Sequence, residues 1–230
     1  MGERRRRANG QHRPVHDNVP AQEANNQTRV AQPRPIRNIC VYCGSSPGAN
    51  PAYAESARTL GRLMAENDIG LVYGGGGLGL MGEIAQSVLT HGGRVTGIIP
   101  GFLSAKERML RDATELIVVT DMHQRKKLMF DRSDAFVAMP GGIGTLEELV
   151  EQLTWAQLGQ HNKPIVLLDV RGFWTPFLAL LDHMRREGFI RPDMGVTVLT
   201  AATPQDVIPT VVANALPPAE ATTPTLSEKF

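Results

Sequence analysis

Residues Met139 to Glu148, Met-Pro-Gly-Gly-Ile-Gly-Thr-Leu-Glu-Glu, combine the parts needed to hold a phosphate and act beside it. Gly141, Gly142 and Gly144 keep side chains out of the way, so main-chain N–H groups can close on an anion. The apolar run Ala135-Phe136-Val137-Ala138-Met139 has strand character, and a helix is expected to begin near Thr145. A helix start adds unpaired N–H groups and the positive end of a dipole. Two carboxylates, Glu147 and Glu148, then fall on the first helical turn. A phosphate cradle with acids next to it suits a reaction on a phosphorylated small molecule. A second turn of this kind follows Ile69-Gly70-Leu71-Val72-Tyr73, with Gly74 to Gly77, Gly79 and Gly82 leading to Glu83. Two such turns on one parallel sheet open on the same C-terminal strand edge, where α/β sheets bind ligands. Gly75 and Gly76 would belong to that second cradle.

Each candidate has a plainer competitor. Gly77-Leu78-Gly79-Leu80-Met81-Gly82 fits the dinucleotide pattern G-x-G-x-x-G. An NAD site also wants an acid at the end of the next strand, and Arg94–Ile99 runs into Pro100-Gly101 instead. A mononucleotide fits better. Glu83 could bond a sugar hydroxyl or base, or simply complement the helix dipole in solvent. Thr145-Leu146-Glu147-Glu148 reads as a capping box, which would tie Glu148 to the helix end. Glu147 is free of that duty but points about 100° away, so spacing leaves the two glutamates level. In Asp121-Met122-His123-Gln124-Arg125-Lys126-Lys127, cations at a helix start oppose the dipole. Arg125 and Lys126 therefore suit an anion pocket, the arginine fork being better for bidentate contact. His123 lacks a visible acid–base partner. Ser45, after the first strand, could donate to a ligand or cap a turn. No Ser/His/Asp set, H-E-x-x-H or multi-His cluster occurs, so no metal and no cofactor is assigned.

The elements that must position these residues alternate. Strands are expected at Asn38–Tyr42, Gly70–Tyr73, Arg94–Ile99, Glu115–Val119, Ala135–Ala138 and Pro164–Asp169, with a last near Val196–Leu199. Helices are expected at Pro51–Asn67, Leu80–His91, Met122–Arg132, Thr145–Leu158, Trp174–Glu187 and Thr203–Ala213. Ala57, Leu60, Leu63 and Met64 recur at helical spacing. Continuous Val, Ile and Leu in the strands implies burial on both faces. The fold class is α/β, a Rossmann-like, doubly wound, mainly parallel sheet with helices on both faces. Cys40 and Cys43 form C-x-x-C, yet residues three apart on a strand face opposite ways. They are read as reduced core residues.

Composition bounds the rest. With 230 residues and a net charge of +1, nothing pulls the chain toward nucleic acid or an anionic membrane. No apolar run nears the roughly 20 residues that span a bilayer. Arg4 to Arg7 are followed by no apolar stretch, which argues against a secretory signal and for the cytoplasm. Residues 1–35, rich in Arg, Gln, Asn and Pro, read as a disordered polar tail. Residues 217–230 read as a flexible C-terminal tail, leaving 36–216 as one catalytic domain.

Taken together, Cys43-Gly44-Ser45-Ser46, the Tyr73–Glu83 glycine run, Asp121-Met122-His123-Gln124-Arg125-Lys126 and Pro140-Gly141-Gly142-x-Gly144-Thr145-x-x-Glu148 resemble the LONELY GUY family. Its members are cytokinin riboside 5′-monophosphate phosphoribohydrolases, often mislabelled as lysine decarboxylases. Thr154-Trp155-Ala156-Gln157-Leu158-Gly159 and Lys163-Pro164 also look like the family, over about Ile36 to Leu216. The resemblance implies hydrolysis of the N-glycosidic bond of an N6-substituted adenosine 5′-monophosphate to free base and ribose 5-phosphate. It implies Arg125 and Glu148 as the catalytic pair with Glu147 close by. Substrate contacts are implied from Glu83, Arg125, Lys126, Thr154 and the loop Gly141, Gly142, Ile143, Gly144, Thr145, Leu146 and Glu147. A homodimer is implied too. Lysine decarboxylation needs a Schiff-base lysine on pyridoxal phosphate, and no residue context suggests one. The alternatives are a general AMP or nucleoside monophosphate glycosidase and a non-catalytic nucleotide-binding or carrier protein.

Overall fold

Every apolar segment of strand length enters one parallel sheet, and the amphipathic segments between them cross over as helices. The computed structural model describes residues 35–103, 109–191 and 197–215. In chain order the elements are β1 (Asn38–Tyr42), α1 (Pro51–Glu66), β2 (Gly70–Tyr73), α2 (Gly79–Thr90), β3 (Val95–Pro100), β4 (Glu115–Val119) and α3 (Met122–Asp131). They continue with β5 (Ala135–Ala138), α4 (Ile143–Gln157), β6 (Ile165–Leu168), α5 (Thr175–Arg186), β7 (Leu199–Ala201) and α6 (Pro204–Ala213). A 3₁₀ turn at Val170–Gly172, not expected from the sequence, joins β6 to α5.

Among the described residues the sheet has seven strands in the order β4-β3-β2-β1-β5-β6-β7, each neighbouring pair parallel. Strand β1 pairs with β2 on one side and β5 on the other, so the winding direction reverses there. The crevice beyond the C-terminal ends of β1 and β5 is thus the topological switch point, where doubly wound sheets take ligands.

Two cores flank the sheet. On one face Leu60 and Met64 of α1, Ile84 and Val88 of α2, and Val207 and Val211 of α6 pack with Ile39, Val41 and Val137. Helices α1 and α2 approach closely at Gly61, where a Cβ would lie 2.6 Å from the Ile84 carbonyl oxygen. On the other face Met129 of α3 and Leu149 and Leu153 of α4 meet Tyr42, Phe136 and Trp174. The alternation of β1 separates the cysteines as expected: Cys40 joins the second core and Cys43 the first, both reduced. Burial pushes both thiols well above their ordinary range.

Three expectations need correction. Strand β4 is not buried on both faces; Glu115 and Val118 are exposed because it is the sheet's edge. The last strand lies at Leu199–Ala201, beside β6, instead of near Val196–Leu199. Helix α4 begins at Ile143 behind the N-cap Gly142, two residues before Thr145. The expected tails, 1–35 and 217–230, lie outside the described residues apart from Pro35. Among the described residues no helix is long and apolar enough to cross a membrane.

His161, against the second core, carries a pH dependence. Its ring meets Phe130 and Phe136 edge-on or tilted, and its Nδ1 accepts the Lys163 N–H at 3.1 Å. The Nε2 proton is therefore donated to the Gln152 carbonyl at 3.2 Å. Burial, helped by the Lys163 charge, lowers its pKa below 6.5, although the Gln152 bond opposes the shift. The unfolded chain then binds the proton more readily than the folded one. This contribution to stability is complete above about pH 6.5 and declines as pH falls from there through the folded value. Urea unfolding between pH 7.5 and 5 should show wild type losing stability over that window, with a smaller slope for His161→Phe; equal slopes would refute the assignment.

Candidate active site

The site is assembled from three loops at the switch point. Asp121 caps α3 by accepting the Gln124 N–H at 2.8 Å, which sets the helix phase and turns Arg125 inward. Arg125 is only 6% exposed. Its Nε donates to the Ile98 carbonyl at 3.1 Å and its Nη2 to the Gly74 carbonyl at 3.3 Å. Buried guanidinium needs such partners, and the ends of β2 and β3 supply them. Nη2 also stands 3.7 Å from Glu148 Oε1, too far for a hydrogen bond but close enough for strong attraction at two buried groups.

The shifted start of α4 settles which glutamate faces Arg125. With Gly142 as N-cap, Thr145 and Glu148 are inside the helix and form no capping box. Glu148, 9% exposed, turns into the crevice beside Arg125. Glu147 points outward and takes Lys126 Nζ at 2.7 Å; Glu151 takes the same ammonium at 2.9 Å. Partial burial alone would weaken the charge on Lys126, but these two carboxylates outweigh it and hold its pKa above the ordinary value.

The two glycine-rich turns differ in what their helix starts can bind. At α2 the N–H groups of Leu80 and Met81 already donate to the Gly44 carbonyl, at 3.0 and 3.3 Å. Gly79, at φ +57°, takes a left-handed conformation with its Cα pressed on the Ser45–Ser46 peptide. This turn is a packing joint. Helix α4, like α2, has no side-chain cap, but Gly142 and Gly144 have open space around them. Its first N–H groups have no carbonyl one turn back to receive them, so the start of α4 has the geometry that suits an anion. Gly44 N–H bonds the Pro140 carbonyl at 3.1 Å and ties the first loop to the third.

A cavity of about 260 Å³ lies between these loops. Ser45, Arg125, Gly142, Ile143, Gly144, Thr145, Glu147 and Glu148 line it, as do Cys43, Met81 and Met122. Gly141 lines an adjoining cavity of about 210 Å³ that shares Gly44, Ser45 and Gly142 with the first. The other expected residues stand apart. Leu146 packs toward the second core. Gly75 and Gly76 serve the loop after β2, Gly75 accepting the Leu110 N–H and Gly76 bridging to Met109. Glu83 pairs with Arg58 of α1 at 2.8 Å on an exposed surface. Thr154 bonds the Val150 carbonyl two turns along α4 from Glu148. His123 is exposed at the start of α3. The sequence reading missed Met81 and Met122, whose thioethers form an apolar wall, because isolated methionines at helix starts carry no distinguishing pattern. It also missed Glu151, although the i, i+4 spacing from Glu147 marks a shared helix face.

A family model described as "Possible lysine decarboxylase" matches residues 81–211. The probable cytokinin riboside 5′-monophosphate phosphoribohydrolase LOGL2 of Oryza sativa is 47% identical over 179 residues, covering 78% of this chain and 73% of that protein. The cytokinin riboside 5′-monophosphate phosphoribohydrolase LOG3 of Arabidopsis thaliana is 46% identical over 173 residues, 75% of this chain and 80% of that one. The chain belongs to the LONELY GUY family. Among solved structures, the molybdenum cofactor binding protein of Rippkaea orientalis shares the fold, with TM-score 0.56, 25% identity and coverage of 78% of this chain and 95% of that one. The Moco carrier protein of Chlamydomonas reinhardtii does so with TM-score 0.57 and 24% identity, over 78% and 95%. The decarboxylase description does not suit this LONELY GUY member. Pyridoxal phosphate needs a neutralisable lysine in the pocket. Among the described residues no lysine lines the cavity, and Lys126 beside it is held charged by two carboxylates.

Proposed function

We propose that the chain hydrolyses the N-glycosidic bond of N6-substituted adenosine 5′-monophosphates, releasing the free base and ribose 5-phosphate. The observation that carries this reading is the buried pair Arg125–Glu148 facing the uncapped start of α4 across one cavity. The names of the relatives agree with it. The 5′-phosphate sits on the Gly142–Thr145 turn with Ser45, fixing the ribose so that C1′ comes to Glu148. As the bond from C1′ to the base nitrogen breaks, the electron pair leaves with the base and positive charge grows at C1′. The Glu148 carboxylate stabilises that charge and takes a proton from the water that bonds to C1′. The departing base takes up a proton from solvent, and Glu148 returns the proton it took from water to solvent, which completes the balance. Arg125 supplies a fixed positive charge that orients Glu148, and Lys126 holds Glu147 at the cavity mouth.

The catalytic unit is residues 36–216, and the protein works in the cytoplasm as a homodimer. Helix α5 has no buried residue, and its Leu180 and Met184 are exposed, as are Val150 of α4 and Leu158, which caps its C-terminal end. Apolar surface of this kind marks an interface. Light scattering on the purified chain should give twice the monomer mass; a monomer at micromolar concentration would refute the dimer.

The deciding experiment is chromatography of the purified protein with AMP and isopentenyladenosine monophosphate. Base release establishes the hydrolase, and the ratio of kcat/KM separates a cytokinin-directed enzyme from a general AMP glycosidase. Bound but uncleaved AMP would overturn the reaction and favour a carrier.

A further inference from the structure

We propose that Gly74 is an arginine-positioning residue, whose missing side chain and carbonyl together fix the Arg125 guanidinium toward Glu148. The inference rests on the reading of Arg125 and Glu148 as the catalytic pair. Three neighbouring facts lead to it. Arg125 Nη2 is shared between the Gly74 carbonyl at 3.3 Å and the Glu148 carboxylate at 3.7 Å. A Cβ built on Gly74 would overlap that same Nη2, and would lie 3.3 Å from Cζ and 3.2 Å from the Met81 sulfur. Gly74 does not take a positive φ, so no left-handed strain opposes an L residue there.

Those facts separate Gly74 from the other glycines of its loop. At Gly79 and Gly82 an added Cβ runs into main-chain atoms of Ser45–Ser46 and of Gly77. Substitution there strikes the framework. At Gly74 the obstacle is mainly the far end of one long side chain, which can swing aside without moving any strand. Alanine at 74 should therefore be tolerated by the fold and felt by the reaction. The remaining anchor, Ile98 carbonyl to Nε at 3.1 Å, acts as a pivot. Crowding at Nη2 would rotate the guanidinium about it and shift the charge that faces Glu148. A misplacement of about 1 Å at a reacting pair costs on the order of 10²-fold in rate.

The test is a double-mutant cycle on the full chain with Gly74→Ala, Arg125→Ala and both together, measuring kcat, KM and thermal midpoint. Gly74→Ala is expected to lower kcat about 10²-fold, with KM within about threefold. The midpoint should stay within a few degrees of wild type. In the Arg125→Ala background the same change should cost nothing further, because it acts through a side chain already absent. A loss of the same size in both backgrounds, or kcat within threefold of wild type in the single variant, overturns the proposal. A second readout is independent of turnover. The Arg125 Nη–H resonances, assigned by their loss in Arg125→Lys, should exchange slowly in wild type and fast in Gly74→Ala. Unchanged exchange overturns the positioning role even if the enzyme proves to act on another substrate. Absence of base release by wild type would instead sink the proposed reaction and leave this readout standing.

Discussion

Glu148→Gln is expected to abolish measurable base release while leaving nucleotide binding and fold largely intact. The side chain is buried, sits 3.7 Å from Arg125 Nη2 and lines the cavity that the α4 start opens on. Its amide counterpart keeps the shape but carries no charge for C1′ and no site for the proton of water. Loss of a positioned acid–base group costs about 10²–10⁴-fold in kcat, and loss of electrostatic stabilisation at the same atom adds to it. Arg125→Ala should fall by a similar factor. It also leaves the Ile98 and Gly74 carbonyls unpartnered in a buried place, so some stability is lost with it. Glu147→Gln is the contrast. That carboxylate is about half exposed and pairs with Lys126 at the surface, where an ion pair is worth roughly 0–1 kcal/mol. Its kcat should stay within about fivefold of wild type, the rate equivalent of that energy. Steady-state kinetics of the three variants decides the assignment: equal losses at Glu147 and Glu148 would refute the distinction between them.

Gly79→Ala should produce the largest loss of stability. Gly79 sits at φ +57°, where an L residue costs about 1–2 kcal/mol. Its Cβ would overlap the Ser45 carbonyl carbon and the Ser46 nitrogen, which are main-chain atoms with no rotamer to escape into. The same peptide region is held by the Leu80 and Met81 N–H groups on the Gly44 carbonyl. Relief would pull apart the joint between the loops after β1 and β2. We expect a total of about 3–5 kcal/mol, among the larger effects of single substitutions. Gly92→Ala isolates the conformational part, since Gly92 shares a positive φ of +76° but has open space around it. It should cost about 1 kcal/mol. Urea melts of both variants make the comparison; equal losses would show that backbone angle alone accounts for Gly79.

Much of the frame could be read without coordinates. Four strands, at Asn38–Tyr42, Gly70–Tyr73, Glu115–Val119 and Ala135–Ala138, match the structure to the residue. The reason is that their flanking turns carry strong signals and their interiors are uniformly apolar. The opposite-face argument for Cys40 and Cys43 held because a period of two needs no tertiary knowledge. The helix start at Ile143 was misplaced because Thr145-x-x-Glu148 imitates a capping box. The imitation fails where Gly142, which has no side chain, is the residue that caps.

The sequence by itself determined the parallel doubly wound class, the glycine-rich turn that opens a helix, and the residue types able to act on a phosphorylated sugar. These follow from local periodicity and chemistry, which neighbours in the chain already contain. Only the tertiary structure decided that Glu148 faces Arg125 while Glu147 faces Lys126. Only it decided that the α2 turn is closed by packing while the α4 turn stands open. Arg125 comes from the helix after β4, its anchors from the ends of β2 and β3, and Glu148 from the helix after β5. Contacts between segments 27 and 51 residues apart depend on strand order and helix phase, and no local pattern encodes either.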